Sequence, residues 1–168
     1  MRIAVMGTAG QGKSTFIKDF LKNWEGIYTS PEKTYRDIIE EKKLLHSKKT
    51  TKETQRAILD FMAGQTMEYS KDDRIIYDRC PLDNIVYSIY ALDKQTGDID
   101  EDFIGECIPL VRESAKFIDL IFHIPYDPSI KVEDDNMRET NVEYITEINQ
   151  LFVEIEKQSL SDHSVFFT

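Results

Sequence analysis

The sequence predicts an α/β fold in which helices cover both faces of a mostly parallel β-sheet. Two observations lead to this prediction. Short apolar runs, typical of buried strands, alternate along the chain with longer segments whose apolar residues recur at helical spacing. A glycine-rich loop also lies between the first apolar run and the first helical segment, an arrangement typical of α/β proteins that bind ligands at the carboxyl ends of their strands.

Five segments are predicted to be strands. They are apolar, short and bounded by glycine, proline or polar residues, as buried strands are. In chain order they span residues 2–6, 27–29, 75–77, 120–124 and 165–167.

Six segments between these strands are predicted to be helices. They span residues 13–24, 33–45, 51–69, 85–92, 103–117 and 142–158. Ser30 and Pro31 suit the N-cap and the first helical position of the second helix. Pro109 should bend or interrupt the fifth helix, because proline removes a helical hydrogen bond. The polar segment 126–140 is predicted to be a loop or lid.

Length and composition indicate one globular domain spanning residues 1–168. The two cysteines lie far apart, and no segment is apolar enough for a membrane span or a signal peptide, so we expect a cytosolic protein without membrane contact. The formal net charge of −10 disfavours a long polyanion as partner. A basic stretch around residues 42–52 is expected to be a solvated helix end and loop, with a nucleic-acid patch as the alternative.

The strongest motif is residues 7–14, which match G-x-x-x-x-G-K-[ST] in the required context between a strand and a helix. This is a P-loop, whose backbone N–H groups and helix N-terminus surround the phosphates of ATP. Lys13 should bridge the β- and γ-phosphates, and the Ser14 hydroxyl should bind Mg²⁺. Thr15 adjoins the loop in a structural rather than catalytic role. The predicted ATP-binding residues are Gly7, Thr8, Ala9, Gly10, Gln11, Gly12, Lys13, Ser14 and Thr15, together with Arg138 in the polar segment 126–140.

A second candidate site follows the third predicted strand. Asp78 directly follows its apolar run, where a magnesium-binding acid is expected beside a P-loop. Arg79 comes next and could hold a phosphate by its fork of N–H donors. The alternative is that Asp78 caps a helix and Arg79 is a surface cation.

Other classes of P-loop protein fit the sequence less well. The guanine-binding N-K-x-D pattern is missing, and no D-x-x-G follows a predicted strand, so a GTPase is disfavoured. A large ATPase motor would need more residues for its additional subdomains. A small kinase is the class that fits, and Arg138 in the lid segment could stabilise the transferring phosphoryl group. A solvated loop arginine is the alternative for Arg138.

Together, the P-loop, Asp78-Arg79 and the segment from Asp135 to Arg138 resemble small P-loop kinases related to nicotinamide riboside kinase domains and deoxynucleoside kinases, including the short phage-type members. The resemblance implies a P-loop NTPase three-layer sandwich with a five-stranded, mostly parallel sheet and a lid. It also implies ATP as donor and a nucleoside or nucleotide as acceptor. Cys80 stands where the deoxynucleoside kinases usually have serine, which is a departure from their pattern.

The acceptor is expected to contact the segment after the second strand and the helices that follow. Glu32 could accept a proton from an acceptor hydroxyl, and Asp78 competes for that role. Arg36 could bind an acceptor phosphate, which would indicate a monophosphate or a 5′ end. The resemblance implies a base-reading glutamine on the long third helix; Gln55 and Gln65 are the candidates, and the small neighbours of Gln65 favour it.

The sequence therefore predicts an ATP- and Mg²⁺-dependent phosphotransferase for a nucleoside, a nucleotide such as a deoxynucleoside monophosphate, or a close analogue. A kinase of polynucleotide ends or modified DNA bases is one alternative, and a regulatory protein that binds ATP without turnover is another. A homodimer is compatible with the sequence.

Overall fold

The computed structural model describes residues 1–46, 49–130, 140–160 and 166–167, with the backbone alone for residues 158–160 and 166–167. Along the chain the elements are β1 (Arg2–Met6), α1 (Lys13–Asn23), α2 (Tyr35–Lys42), α3 (Lys52–Glu68), β2 (Ile75–Asp78), α4 (Pro81–Asp93), α5 (Glu101–Ala115), β3 (Leu120–His123), α6 (Val142–Leu160) and β4 (Phe166–Phe167). Helices and strands alternate as the sequence predicts, so the α/β class is confirmed.

All strands of the described sheet are parallel, in the order β2-β1-β3-β4. The expectation of five strands is wrong for the described residues: three strands have four or five residues, β4 has two, and the predicted strand at 27–29 is only a bridge between Thr29 and Ile75. Pro31 follows closely and has no N–H to extend such a ladder.

The central strand β1 is buried along its whole length, because helices cover both faces of the sheet. Its side chains alternate between two apolar clusters. Ile3 and Val5 pack with Ile17 of α1 on one face. Ala4 and Met6 face the opposite side, where α4 and α6 supply Val86, Ile148 and Phe152 among others. The result is three layers, helix–sheet–helix, with α3 and α5 packed farther out on α4.

Two predicted helix features differ in the structure. The second helix begins at Tyr35, and its N-cap is Thr34 in a capping box with Asp37, whereas Ser30 donates its hydroxyl to the carbonyl oxygen of Ile76 at 2.8 Å. Thr34 is favoured as the N-cap because the carboxylate of Asp37, at the third helical position, accepts from the backbone N–H of Thr34. Pro109 lies inside a continuous α5 and does not interrupt it.

The parallel strands bring their carboxyl ends to one edge of the sheet. Gly7 follows β1, Asp78 ends β2, and His123 ends β3. This edge lies beside the N-termini of α1 and α4 and is where a ligand is expected. Among the described helices, none combines the length and apolar character that crossing a membrane requires.

Candidate active site

The backbone of the P-loop turns sharply between β1 and α1. Gly7, Gly10 and Gly12 have φ angles of 133°, 75° and 79°, a region that favours glycine. A Cβ on Gly7 would also collide with the carbonyl oxygen of Ile124. Gly12 is the N-cap of α1, and no side chain caps that helix. The first N–H groups of α1 are therefore available to an anion such as a phosphate.

Lys13 is buried at the start of α1, and its ammonium group donates to the carbonyl oxygen of Thr8 across the loop. Burial, with a further contribution from the positive charge of Arg79, lowers the pKa of Lys13 to about 7. The lysine is thus an under-stabilised cation in the ligand-free protein. A polyphosphate beside it would compensate for that cost, which fits the predicted contact with ATP.

Ser14 and Asp78 meet at the mouth of the loop, where the Ser14 hydroxyl donates to Asp78 Oδ2 at 3.2 Å. One hydroxyl and one carboxylate are oxygen ligands of the kind that Mg²⁺ prefers, so the pair fits the ion that ATP carries. Within the described residues no group of three or more His, Cys, Asp or Glu could hold a metal. ATP phosphates and water would supply the other ligands of the ion, and bound Mg²⁺ would neutralise charge on the phosphates.

Arg79 is buried, and its guanidinium lies between the rings of Tyr35 and Tyr87, 5.3 and 5.2 Å from their centroids. Its Nη1 donates to Asp83 at 2.7 Å and to the carbonyl oxygen of Gly7 at 3.1 Å. Burial raises the pKa of Asp83, and the Arg79 charge opposes that change. The alternative of a surface cation at Arg79 is therefore wrong.

An open cavity, here called the P-loop cavity, encloses about 800 Å³ including its mouth. Most of the predicted ATP-binding residues line it, namely Ala9, Gly10, Gln11, Gly12, Lys13, Ser14 and Thr15. Gly7 and Thr8 lie behind them at the end of β1. The Thr8 hydroxyl is buried without a partner among the described residues.

A second cavity adjoins the first and encloses about 740 Å³ including its mouth. It is called the acceptor cavity here because the sequence predicts an acceptor beside the P-loop. The two share four residues, Ala9, Tyr35, Arg36 and Arg79. The remainder of its lining combines apolar side chains with polar ones: Ile39, His46, Thr50, Gln55, Ile58, Met62, Asp83, Asn84, Tyr87 and Tyr144. An apolar hollow with a few placed polar groups suits a small organic ligand.

The amides of Gln55 and Asn84 form a fixed pair in this cavity. Asn84 Nδ2 donates to the backbone oxygen of Gln55 at 3.0 Å and to its Oε1 at 2.6 Å. Gln55 Nε2 donates to the Thr50 hydroxyl at 2.8 Å. Asn84 Oδ1 is buried without a partner among the described residues. The pair thus leaves a buried acceptor oxygen in the cavity lining.

Glu32 and Gln65 lie elsewhere. Both line a third, shallower hollow with Tyr69, and Gln65 Nε2 donates to the backbone oxygen of Lys33 at 2.9 Å. Glu32 is exposed. The structure therefore brings Arg36 to the P-loop and leaves Glu32 and Gln65 outside the linings of the P-loop and acceptor cavities.

The predicted lid is described only at its two ends. Gln11 of the P-loop accepts from the backbone N–H of Asp127 at 2.7 Å, and Ile130 borders the P-loop cavity. Arg138 lies outside the described residues, so its role as a lid arginine stays a prediction.

Sequence reasoning missed Asp83 and Asn84 and preferred Gln65 to Gln55. A signal was present, because Asp83, Asn84 and Ser88 are polar residues at helical spacing in α4, whose other residues before the terminal Asp93 are apolar or aromatic. Polar residues on the inner face of a helix need partners and are often part of a site.

A family model described as an AAA domain matches residues 2–163. The match covers nearly the whole chain, and the chain belongs to this family. A comparison with curated protein sequences finds no match.

Several solved structures share the fold. Deoxyadenosine kinase from M. mycoides, with dCMP and dCDP bound, superposes with a TM-score of 0.74 at 21% identity, over 99% of this chain and 88% of that one. NadR in complex with NR gives 0.67 at 16% identity, over 98% of this chain and 44% of that one. Thymidylate kinase from Candida albicans gives 0.63 at 15% identity, over 98% and 81%.

These similarities confirm the predicted resemblance to small P-loop nucleoside and nucleotide kinases at the level of the fold. At such low identity they carry no residue's role from one protein to another.

Proposed function

We propose that this chain transfers the γ-phosphoryl group of ATP, with Mg²⁺, to a nucleoside, a nucleotide or a close analogue. The observation that carries the proposal is the shared wall between the two cavities. The P-loop cavity is built for phosphates, and the acceptor cavity is mixed apolar and amide-lined. A donor in the first and an acceptor in the second would meet beside Arg36 and Arg79, as direct transfer requires.

The residues of the P-loop cavity have distinct roles in this proposal. Lys13 binds the β- and γ-phosphates, and Ser14 with Asp78 holds Mg²⁺. Arg36 borders both cavities and stabilises the phosphoryl group or an acceptor phosphate. Arg138, as predicted for the lid, adds a second cation when the lid closes.

Of the two candidate general bases, the geometry favours Asp78. It lines the P-loop cavity, whereas Glu32 lines the separate hollow. Asp78 would then either bind Mg²⁺ or accept the proton of the acceptor hydroxyl, depending on where that hydroxyl lies.

The named relatives support a small acceptor. Deoxyadenosine kinase is seen with dCMP and dCDP, and NadR with NR. The net charge of −10 also disfavours a nucleic-acid acceptor.

The test is a phosphoryl-transfer screen read by mass spectrometry. Purified protein, ATP and Mg²⁺ meet a panel of nucleosides, their monophosphates, nicotinamide riboside and a short oligonucleotide. The controls are Lys13→Ala and, as a matched change on the same helix, Lys18→Ala, since Lys18 is exposed. We expect a product one phosphoryl group heavier from a small acceptor, lost in Lys13→Ala and retained in Lys18→Ala.

Other outcomes separate the alternatives. Transfer to the oligonucleotide alone, falling steeply with salt, would favour a polynucleotide kinase. ATP binding without transfer to any acceptor would favour a regulatory protein. Equal product from Lys13→Ala and the unaltered protein would overturn the assignment of the P-loop.

A further inference from the structure

The two oxygens of the Asp83 carboxylate accept hydrogen bonds from two different parts of the structure. Oδ2 accepts from the backbone N–H of Cys80 at 3.0 Å, which caps α4. Oδ1 accepts from Arg79 at 2.7 Å and from the backbone N–H of Gly7 at 3.4 Å. Asp83 is 1% exposed, so little water competes for these contacts.

The same pair of side chains holds Gly7 from both sides. Asp83 accepts from its N–H, while Arg79 donates to its carbonyl oxygen at 3.1 Å. Gly7 is the first residue of the P-loop and adopts a φ of 133° that most residues avoid. A backbone in such a conformation needs contacts that fix it, and the Arg79–Asp83 pair provides two.

The pair is itself held firmly. The Arg79 guanidinium lies between the rings of Tyr35 and Tyr87, and its Nη2 donates to the Tyr87 hydroxyl at 3.3 Å. A buried, hydrogen-bonded ion pair between aromatic rings has one favoured geometry. Its position therefore fixes the position of Gly7.

We propose that Asp83 is a positioning residue that sets the conformation of the P-loop for ATP through Gly7 and Arg79. This inference rests on the proposed function and adds to it the residue that shapes its phosphate site. Asp83 acts through the backbone and through Arg79, and it does not touch ATP.

The chain offers a matched comparison in Asp37, which occupies the same third position of α2 in a second capping box. Asp37 uses Oδ2 for both of its contacts, with the backbone N–H of Thr34 at 2.7 Å and the Thr34 hydroxyl at 2.9 Å. An asparagine has one acceptor oxygen. Asp37→Asn can therefore keep its cap, whereas Asp83→Asn must lose either the cap or the contacts with Gly7 and Arg79.

The experiment measures ATP binding by isothermal titration calorimetry, together with the KM values of ATP and of the acceptor found in the screen. We expect Asp83→Asn to weaken ATP binding by about tenfold or more, from the loss of buried hydrogen bonds. Asp37→Asn should leave the affinity for ATP and both KM values unchanged. If Asp83 served only as a helix cap, Asp83→Asn would lower stability but would bind ATP as tightly as Asp37→Asn does; this result would overturn the proposal.

Two further measurements keep the proposal testable. If Asp83→Asn does not fold, the double variant Arg79→Met with Asp83→Leu removes both charges and leaves none unpaired. It should fold and still bind ATP at least about tenfold more weakly; affinity equal to that of the unaltered protein would overturn the proposal.

Hydrogen exchange of residues 7–12 in the ligand-free protein should be faster in Asp83→Asn than in Asp37→Asn, and equal rates would also overturn the proposal. If the unaltered protein does not bind ATP, the proposed function fails, and this exchange comparison still decides the role of Asp83.

Discussion

The two adjoining cavities are built from different kinds of atoms. The P-loop cavity is formed largely by the backbone of one short loop, the uncapped start of α1, and the Lys13 ammonium. The acceptor cavity is formed by side chains from α2, α3, α4 and α6, which include a fixed amide pair. Backbone N–H groups bind any phosphate chain, whereas a set of side chains can distinguish one acceptor from another.

This difference separates two kinds of sensitivity to mutation. The P-loop cavity depends on local backbone conformation, so changes there should affect every acceptor alike. The acceptor cavity depends on which side chains are present, so changes there should alter one substrate more than another. Substitutions of Lys13 and of the two glutamines of α3 test that division, and substitutions of the loop glycines test the backbone conformation on which the P-loop cavity depends.

The largest expected effect comes from Lys13→Met, which removes a charge and keeps a side chain of similar length. Transfer to every acceptor should fall by about 10²–10³-fold, because a charge that stabilises the transferring group is lost. The ligand-free protein should at the same time become more stable by on the order of a few kcal/mol at pH 7, because the buried cation is gone. Chemical denaturation with and without ATP measures the change.

The pH dependence of this stabilisation has a definite sign. The pKa of Lys13 is lowered to about 7 in the folded protein, against 10.5 ordinarily. Between these values the unfolded chain binds more protons, so the stability of the unaltered protein rises with pH across this window. The gain in free energy of unfolding from Lys13→Met should therefore be largest near pH 7 and decrease towards about pH 10. Lys18→Met is the control, and an advantage that grows with pH would contradict the burial of the charge.

A smaller effect is expected from alanine at the loop glycines. Both Gly7 and Gly12 have positive φ, so either substitution strains the backbone by roughly 1–2 kcal/mol. A Cβ at Gly7 also collides with the backbone of Ile124, whereas a Cβ at Gly12 meets nothing within 4 Å. Gly7→Ala should therefore lower the free energy of unfolding more than Gly12→Ala does. Urea titrations of the two variants give the comparison, and equal losses would argue against a close approach of the Ile124 backbone to Gly7.

The smallest expected effect concerns the two glutamines of α3. Gln55→Leu removes a contact of the amide pair in the acceptor cavity, and it should raise the acceptor KM by about 5–10-fold through the loss of buried hydrogen bonds. The KM of ATP should not change. Gln65→Leu alters the third hollow and should leave both constants in place. A larger change in acceptor KM from Gln65 would move the acceptor to that hollow.

The sequence predicted the P-loop and its flanking elements because that information is local. The P-loop pattern and its context between a strand and a helix lie within a few residues of one another, and Asp78 ends a short apolar strand of its own. The structure confirms that Lys13, Ser14 and Asp78 come together. Alternating strands and helices likewise predicted the α/β class, since each element carries its own periodicity.

The lining of the acceptor cavity could not be predicted to the same extent, because most of its residues converge from four helices. Gln55 and Gln65 are indistinguishable by composition, and only the packing of α3 on α4 places Gln55 beside Asn84. The strand expected at 27–29 was wrong for a related reason. Whether residues 27–29 pair with β2 depends on tertiary contacts, and only Thr29 forms a bridge, with Ile75.

Arg79 has a φ of 78°, a backbone conformation that glycine adopts more readily than arginine does. The single substitution Arg79→Gly would relieve that strain, but it would leave the buried Asp83 carboxylate without its ion-pair partner. Replacing Asp83 alone would likewise leave the buried Arg79 guanidinium without its partner. Neither position can therefore be improved one substitution at a time. A directed-evolution search for heat resistance by single steps should leave residues 79 and 83 untouched, and only paired libraries should find alternatives there.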